Sequence, residues 1–565
     1  MGAIKKLLIA FVFLFSANAF AADYYVTQTG AGNNDGLTWA NAMAYPSFTP
    51  ARGDGTNVYY FAGGTYAFGG TYAGKLWNTA VDGTKVITIK KASTTECALA
   101  NAPAGCINQA VFSEDLSTST KQTTWHVMTS YWVIDGVTGS GNDIDSYGFK
   151  LTPMNCATTY GSYLVQTPSS VNNAHPTDIR ISHVAAVNCG AAYDINQYAF
   201  GQAPDADISN IVYSNNYSSG SSTNMSFTKC TSGCVADGNY LDANWSSSAH
   251  HGGQFVWKGS PSLVIKNNYF KNSCVFVLDS HVTACTTNSP TPFSQLTAVT
   301  ESRLTDTSAS WSAGEMNGKT VCKQTTSTGG NVICFVVQDT GSDYLDVLPA
   351  TAVTDGLAIG NYYAIKTCYT PNTDTLVYNN IVDGHSTSGT CGDQLTGVFA
   401  NGDSAYVDVT PNMIVYNNTV YNASVGSYGF VYTGRATNPA EKAIVRNNLF
   451  YSSEDMGLSS GIAPDTDYSA FIDCTGTLYT ETHDQIGTGD PFTDKASGDF
   501  RLVYNSLAVN NGTDLGASYN SDRISTTRPR GTAWDIGAYE YNYGQVTTGG
   551  SGSMTIGGSG TITLN

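Results

Sequence analysis

The feature that most constrains this chain is a β-branched run ending in a doubled asparagine, which occurs five times. The doublets are Asn215-Asn216, Asn267-Asn268, Asn379-Asn380, Asn417-Asn418 and Asn447-Asn448, each followed by a second short apolar run. Measured on the second Asn, the steps between them are 52, 112, 38 and 30 residues. The shorter steps have the period of a solenoid, and the longer ones read as the same unit carrying insertions. Each unit is strand, bend, strand. One such unit cannot bury its own apolar side chains, but stacked units bury them in a shared core. An Asn at each bend suits this arrangement, because it tolerates left-handed backbone and its amide can bond to its copy one coil away.

The rest of the chain agrees with an all-β solenoid. Charged residues make up only 12% of the chain and aromatic residues another 12%, with 35 Tyr and 58 Gly, a balance that favours strands and turns. No helical periodicity persists for three turns. At 565 residues the chain exceeds an ordinary globular domain, yet a solenoid grows by adding coils and need not split. A net charge of −18 argues against nucleic acid and anionic membranes as partners.

Residues 1–21 have the three parts of a secretory signal. Lys5-Lys6 is the basic region, Leu7 to Phe15 the apolar run, and Ala19-Phe20-Ala21 the cleavage site, giving a mature start near Ala22. The apolar run is too short to span a bilayer, so a secreted or cell-surface protein without membrane insertion is expected. In an exported chain the 13 cysteines read as disulfides. Local spacing suggests Cys97 with Cys106, Cys230 with Cys234, Cys274 with Cys285 and Cys322 with Cys334, leaving Cys474 as an odd thiol.

The repeating pattern resembles the right-handed parallel β-helix of pectate-lyase-like proteins, whose turn asparagines stack in a ladder. Two further stretches carry the resemblance. Tyr24-Tyr25-Val26, the Gly/Asn-rich turn from Gly30 to Gly36, Trp39, and Gly53-Asp54-Gly55 before Val58 to Phe61 look like the N-terminal cap and first coil of exported β-helices. Pro46 and Pro50 interrupt the short capping helix that the family has there. Gly498-Asp499-Phe500-Arg501-Leu502 and Asp535-Ile536-Gly537-Ala538-Tyr539-Glu540 resemble the terminal module of such proteins, with Leu507 where the family usually has Pro. The expected organisation is signal 1–21, cap and first coil 22–85, coils 86–290, an inserted small antiparallel β module 291–366, coils 367–475, a terminal module 476–543 and a Gly/Ser/Thr-rich tail 544–565. Strands entered through Gly, around Phe255-Val256-Trp257, Val398-Phe399 and Phe430-Val431, are expected to turn their aromatic residues outward.

The resemblance implies handling of a polysaccharide along one long face, by lyase or hydrolase chemistry, and the expectation is a monomer that binds a polysaccharide or surface glycan and cleaves it by elimination more readily than by hydrolysis. The other class that fits is a non-catalytic surface or matrix protein, since a fold does not select an activity. Elimination needs a charge neutraliser, a base and an acid. Lys and Arg are scarce, so the catalytic candidates are Lys258, His250, His251 and Arg180, with Lys150, Trp257 and Asp178 for substrate binding. The bland alternatives are solvated lysines, turn histidines and an Asp178–Arg180 ion pair on one strand face. A polyanion would be repelled unless Ca2+ bridged it, so Asp205 and Asp207, or Asp143 and Asp145, are candidate Ca2+ ligands. Without Ca2+ the ligand would be a neutral glycan.

Overall fold

A computed structural model describes residues 22–543 except 54–55, 68–74, 114, 117–122, 154, 157–162, 168–175, 188–197, 203–207, 222, 243–252, 259, 274–275, 281–285, 290–294, 314–319, 327–328, 349–351, 355, 368–373, 386–396, 402–412, 424–429, 433–441 and 457–463. The signal and tail segments fall outside the described residues. Three long parallel sheets run the length of the molecule, with 14, 12 and 9 strands, here called A, B and C. The chain visits A, B and C in turn and returns to A one coil further on, which makes a right-handed parallel β-helix.

The sequence folds this way because one residue in two of each strand is apolar and faces the axis. Down sheet A, Ile134, Ile181, Tyr213, Ala236, Ile265, Val377, Val415 and Val445 follow in register, each 3% exposed or less. Leu241, Phe270, Val382, Val420, Phe450 and Phe471 follow in register down sheet B, each 4% exposed or less. They belong to one continuous core reaching from Val26 to Phe471. Sheet C corrects one expectation. Phe255, Phe399 and Phe430 point inward and are at most 2% exposed. The core between three sheets needs bulky side chains from C as well, and Phe227 stacks on Phe255 at 5.7 Å to supply them.

The corner between A and B divides the two asparagines of each doublet by role. The first is left-handed, at φ 51, 57, 56, 53 and 56° for Asn215, Asn267, Asn379, Asn417 and Asn447. The second is buried and makes the ladder. Asn268, for example, donates from its backbone N and its Nδ2 to Asn380 Oδ1, at 2.9 and 3.1 Å, and from Nδ2 to Ala236 O. The ladder has a sixth rung that no doublet announces. Asn239 stands between Asn216 and Asn268, 23 residues after one and 29 before the other, and Gly238 with φ 68° takes the left-handed place. The 52-residue step is therefore two coils, not one coil with an insertion.

The 112-residue step does hold a separate unit. Seven antiparallel strands, from Thr286–Ser289 to Tyr362–Thr367, form a sheet with its own core around Leu304, Phe335, Leu345 and Tyr363. Its first and last strands pair with each other. The N-terminal end of the core is closed by two short 3-10 turns in place of a helix. Pro46 is the second residue of the second, Tyr45–Ser47, and Tyr45 and Phe48 plug the axis against Phe61, Tyr66 and Phe112.

The C-terminal module folds back over the flank of sheet B and the A/B corner. Phe492, Phe500, Leu502, Ile536 and Ala538 pack with Ile381, Leu449 and Ile472. Asn379 and Asn447 donate from Nδ2 to the module's Ser521 O and Thr513 O. Inside the module Arg528 Nη1 pairs with Glu540 at 3.1 Å, both side chains fully buried, and also donates to Asp535 O. Cys97–Cys106 and Cys230–Cys234 are disulfides, and Cys474 is a free thiol. Cys322 and Cys334 are register partners whose side chains lie outside the described residues, as do Cys274 and Cys285.

Candidate functional site

The sequence-based candidates do not gather in one place. His250, His251, Asp205 and Asp207 lie outside the described residues. Trp257 and Lys258 end the sheet C strand Gly253–Lys258 at the register positions of the buried Phe227 and Thr228, and their side chains are also outside the description. Arg180 is exposed on the outer face of sheet A, between Val133 and Val212. It makes no ion pair with Asp178. A φ of 59° takes Asp178 out of strand alternation, and its carboxylate accepts from Thr177 Oγ1 and Asn210 Nδ2 instead. Asp143 caps the turn Ile144–Ser146, while Asp145 pairs with Lys150 at 3.3 Å, so both are engaged in local structure. Among the described residues no group of three or more His, Cys, Asp or Glu is placed to hold a metal ion.

Lys150 alone leads to a constellation. It stands in the outward column of sheet B that continues in register through Ala185, Tyr217, Tyr240, Tyr269 and Ile381. The small Ala185 leaves room for Tyr147 to reach over it, so four tyrosine rings form a row. Tyr147 and Tyr217 are 6.2 Å apart, Tyr217 and Tyr240 5.8 Å, and Tyr240 and Tyr269 4.6 Å. Beside this row the next outward column reads Asp242, Lys271, Asp383 on successive strands. The module's edge closes the row, with Phe500 6.0 Å from Tyr269 and the Arg523 guanidinium 5.9 Å over its ring.

The electrostatics of this column are set by partial burial. Burial holds the Asp383 carboxyl above the ordinary carboxylate range and Asp242 adds to the rise, while the Tyr269 hydroxyl, which donates to Asp383 Oδ2 at 2.5 Å, and Lys271 oppose it. Burial, with the charge of Asp383, raises Tyr269, and burial with Asp242 and Asp383 raises Tyr240, so both phenols stay protonated donors. Asn272 Nδ2 donates to Asp242 Oδ1 at 2.9 Å and orients that carboxylate. The column thus offers a carboxyl suited to donating a proton, a second oriented carboxylate two strands away and an ammonium between them.

Two other titrating groups have plainer roles. Burial pushes Lys75 and Lys91 down to about 8, but Lys91 Nζ donates to Ala92 O and Cys106 O, and Lys75 Nζ to Tyr45 O. Both ammoniums tie the N-terminal cap together.

The tyrosines and aspartates were legible in principle. In each coil the residues one and three places after the ladder Asn face outward, which gives Tyr217, Tyr240, Tyr269 and Ser219, Asp242, Lys271, Asp383 in turn. Asn239 is not doubled, so that alignment misses the coil that carries Tyr240 and Asp242.

No family profile matches the chain, and no curated protein matches it. Among solved structures, a crystal structure of pectate lyase Pel9A aligns with a TM-score of 0.43 and 14% identity, over 92% of this chain and 96% of that chain. The fold assignment rests on the registers of the three sheets, not on that likeness. Among the described residues no helix is long and apolar enough to cross a membrane.

Proposed function

We propose that this chain is an exported polysaccharide-binding β-helix that lays its ligand along the outer flank of sheet B and cleaves it there. The observation that carries this is the Asp383 carboxyl, half-buried, raised and hydrogen-bonded by Tyr269, two strands from the oriented Asp242. The two disulfides support a location outside the cytoplasm.

Hydrolysis suits these groups better than elimination. Elimination needs cations around a uronate carboxylate, whereas this column has two aspartates to one lysine. For hydrolysis, protonated Asp383 gives its proton to the glycosidic oxygen as the C–O bond breaks. Asp242 takes a proton from the water whose oxygen bonds to the anomeric carbon. Two strand steps put their backbones about 9.5 Å apart, at the upper end of the roughly 6.5–9.5 Å carboxyl spacing of inverting enzymes. A non-catalytic surface or matrix protein is the second reading, favoured by the mutual stacking that leaves Tyr217, Tyr240 and Tyr269 only 6–8% exposed, as packing residues of the flank.

The test is to incubate the purified chain with a panel of neutral and uronate polysaccharides, with Ca2+ and with chelator, following both reducing ends and the absorbance of unsaturated products. New reducing ends without unsaturation, abolished in Asp383→Asn, support hydrolysis. Unsaturated product that requires Ca2+ and survives in Asp383→Asn moves the chemistry to the Lys258 and Asp205/Asp207 region. Binding with no product of either kind supports the non-catalytic reading.

A further inference from the structure

The C-terminal module carries an aromatic cluster that shares no residue with the sheet B column. Tyr541 and Tyr543 are 4.9 Å apart and nearly perpendicular, and Tyr504 lies 5.8 and 6.2 Å from them. Tyr504 is 69% exposed and Tyr543 40%. Large side chains are normally covered, and a clustered exposed set marks an interaction site.

Tyr541 and Tyr543 are held by the module's buried interior. Asp535, itself 0% exposed, accepts from Tyr541 N through Oδ2 at 2.5 Å and from Asn510 N through Oδ1 at 2.7 Å. Asn510 Oδ1 accepts from Thr532 N and Ala533 N, and its Nδ2 donates to the Tyr543 hydroxyl. The cluster is therefore anchored to the same network as the Arg528–Glu540 pair. Little conformational freedom is left for a ligand to remove, a condition that favours binding.

We propose that Tyr504, Tyr541 and Tyr543 form a stacking platform for an uncharged pyranose ring, separate from the sheet B column. Size and charge select the occupant. A stable protein partner needs on the order of 1,200–2,000 Å² of buried surface, whereas a few tyrosine rings offer roughly 150–250 Å² each. That area matches one or two sugar rings, whose apolar C–H faces stack on aromatic rings while their hydroxyls meet the tyrosine hydroxyls and the Asn510 amide. Asp535 and Glu540 lie close enough to act on the Tyr543 phenol, and their charge disfavours a carboxylated or sulfated sugar.

Affinity electrophoresis of the full chain in gels containing a neutral glucan, xylan or galactan, or polygalacturonate, tests this. Retardation by at least one neutral polymer is expected, weakened roughly tenfold in apparent affinity by Tyr504→Ala or Tyr543→Ala and retained in Tyr504→Phe, which keeps the ring. Thermal unfolding confirms that the variants fold. Retardation unchanged in both Ala variants, absent in the wild type, or confined to polygalacturonate overturns the platform. Retardation lost in Tyr240→Ala but kept in Tyr504→Ala overturns it while leaving the sheet B reading intact.

Discussion

His183 and Asn267 do the same job on different coils. Each sits left-handed at the A/B corner, at φ 55 and 57°, and each reaches back to the aspartate that ends the preceding strand of sheet A. His183 Nδ1 is 2.7 Å from Asp135 Oδ1, and Asn267 Nδ2 donates to Asp237 Oδ1 at 2.8 Å. The Asp–His pair, which in isolation resembles half of a catalytic dyad, is thus a clasp between coils.

His183→Asn is therefore expected to fold with a Tm close to the parent, while His183→Ala loses about 1–2 kcal/mol in denaturant unfolding. Equal losses in both variants would show that the imidazole does something an amide cannot.

The same clasp predicts an acid limb. Burial pushes Asp135 up, but the hydrogen bonds from His183, Val137 N and Ser182 outweigh it and hold the carboxyl below its ordinary value. A depressed acid contributes stability above its unfolded pKa, near 3.9, and loses it as pH falls through the lower folded value. Melts between pH 2 and 6 are expected to converge for wild type and Asp135→Asn at the acid end and to separate above pH 4.

Asn239→Ala removes an acceptor that serves Asn216 N and Nδ2 and a donor that serves Tyr213 O. Buried groups left unpaired cost about 1–3 kcal/mol each, so urea unfolding is expected to show a loss of at least 3 kcal/mol. Asn215→Gly, imitating Gly238 one coil on, is expected to change stability by less than about 1 kcal/mol.

Glu540→Gln removes the ion-pair partner of the buried Arg528 and leaves it only the charges of Asp522 and Asp535. A loss of about 3–5 kcal/mol is expected, read as earlier release of the C-terminal module in limited proteolysis. Uniform cleavage of the whole chain would instead mean that module and coils unfold as one.

If Asp383 acts as the acid, activity falls as pH rises through its raised pKa. Tyr269→Phe deletes the hydrogen bond that pulls that value down, so the basic limb is expected to move to higher pH. A pH–rate profile of the two proteins settles the direction of the shift.

The architecture was legible because it repeats. Val377, Val415 and Val445 are small variations on one strand, and the doublets after them mark the corner without any tertiary information. The interior of sheet C was not, because alternation tells which residues share a face but not which face is wet, and Phe255 and Phe399 read equally well either way. Asn239 escaped because its left-handed neighbour is glycine, which does the same conformational work with no side chain to signal it. Asp242 escaped with Asn239, since its coil has no doublet to align on, and Asp383 lies beyond the inserted unit in sequence although it is two strands away in the stack.

The inserted unit enters through Thr286–Ser289 and leaves through Tyr362–Thr367, two strands that lie side by side. For the stack it has no length. The chain leaves and rejoins the stack at one point, and Asn268 meets Asn380 at 3.1 Å, within the 2.9–3.1 Å range of the other neighbours in the ladder. The fold thereby has a docking port in which an unrelated cargo domain with adjacent termini could be exchanged for this one, with the coils on either side left in register.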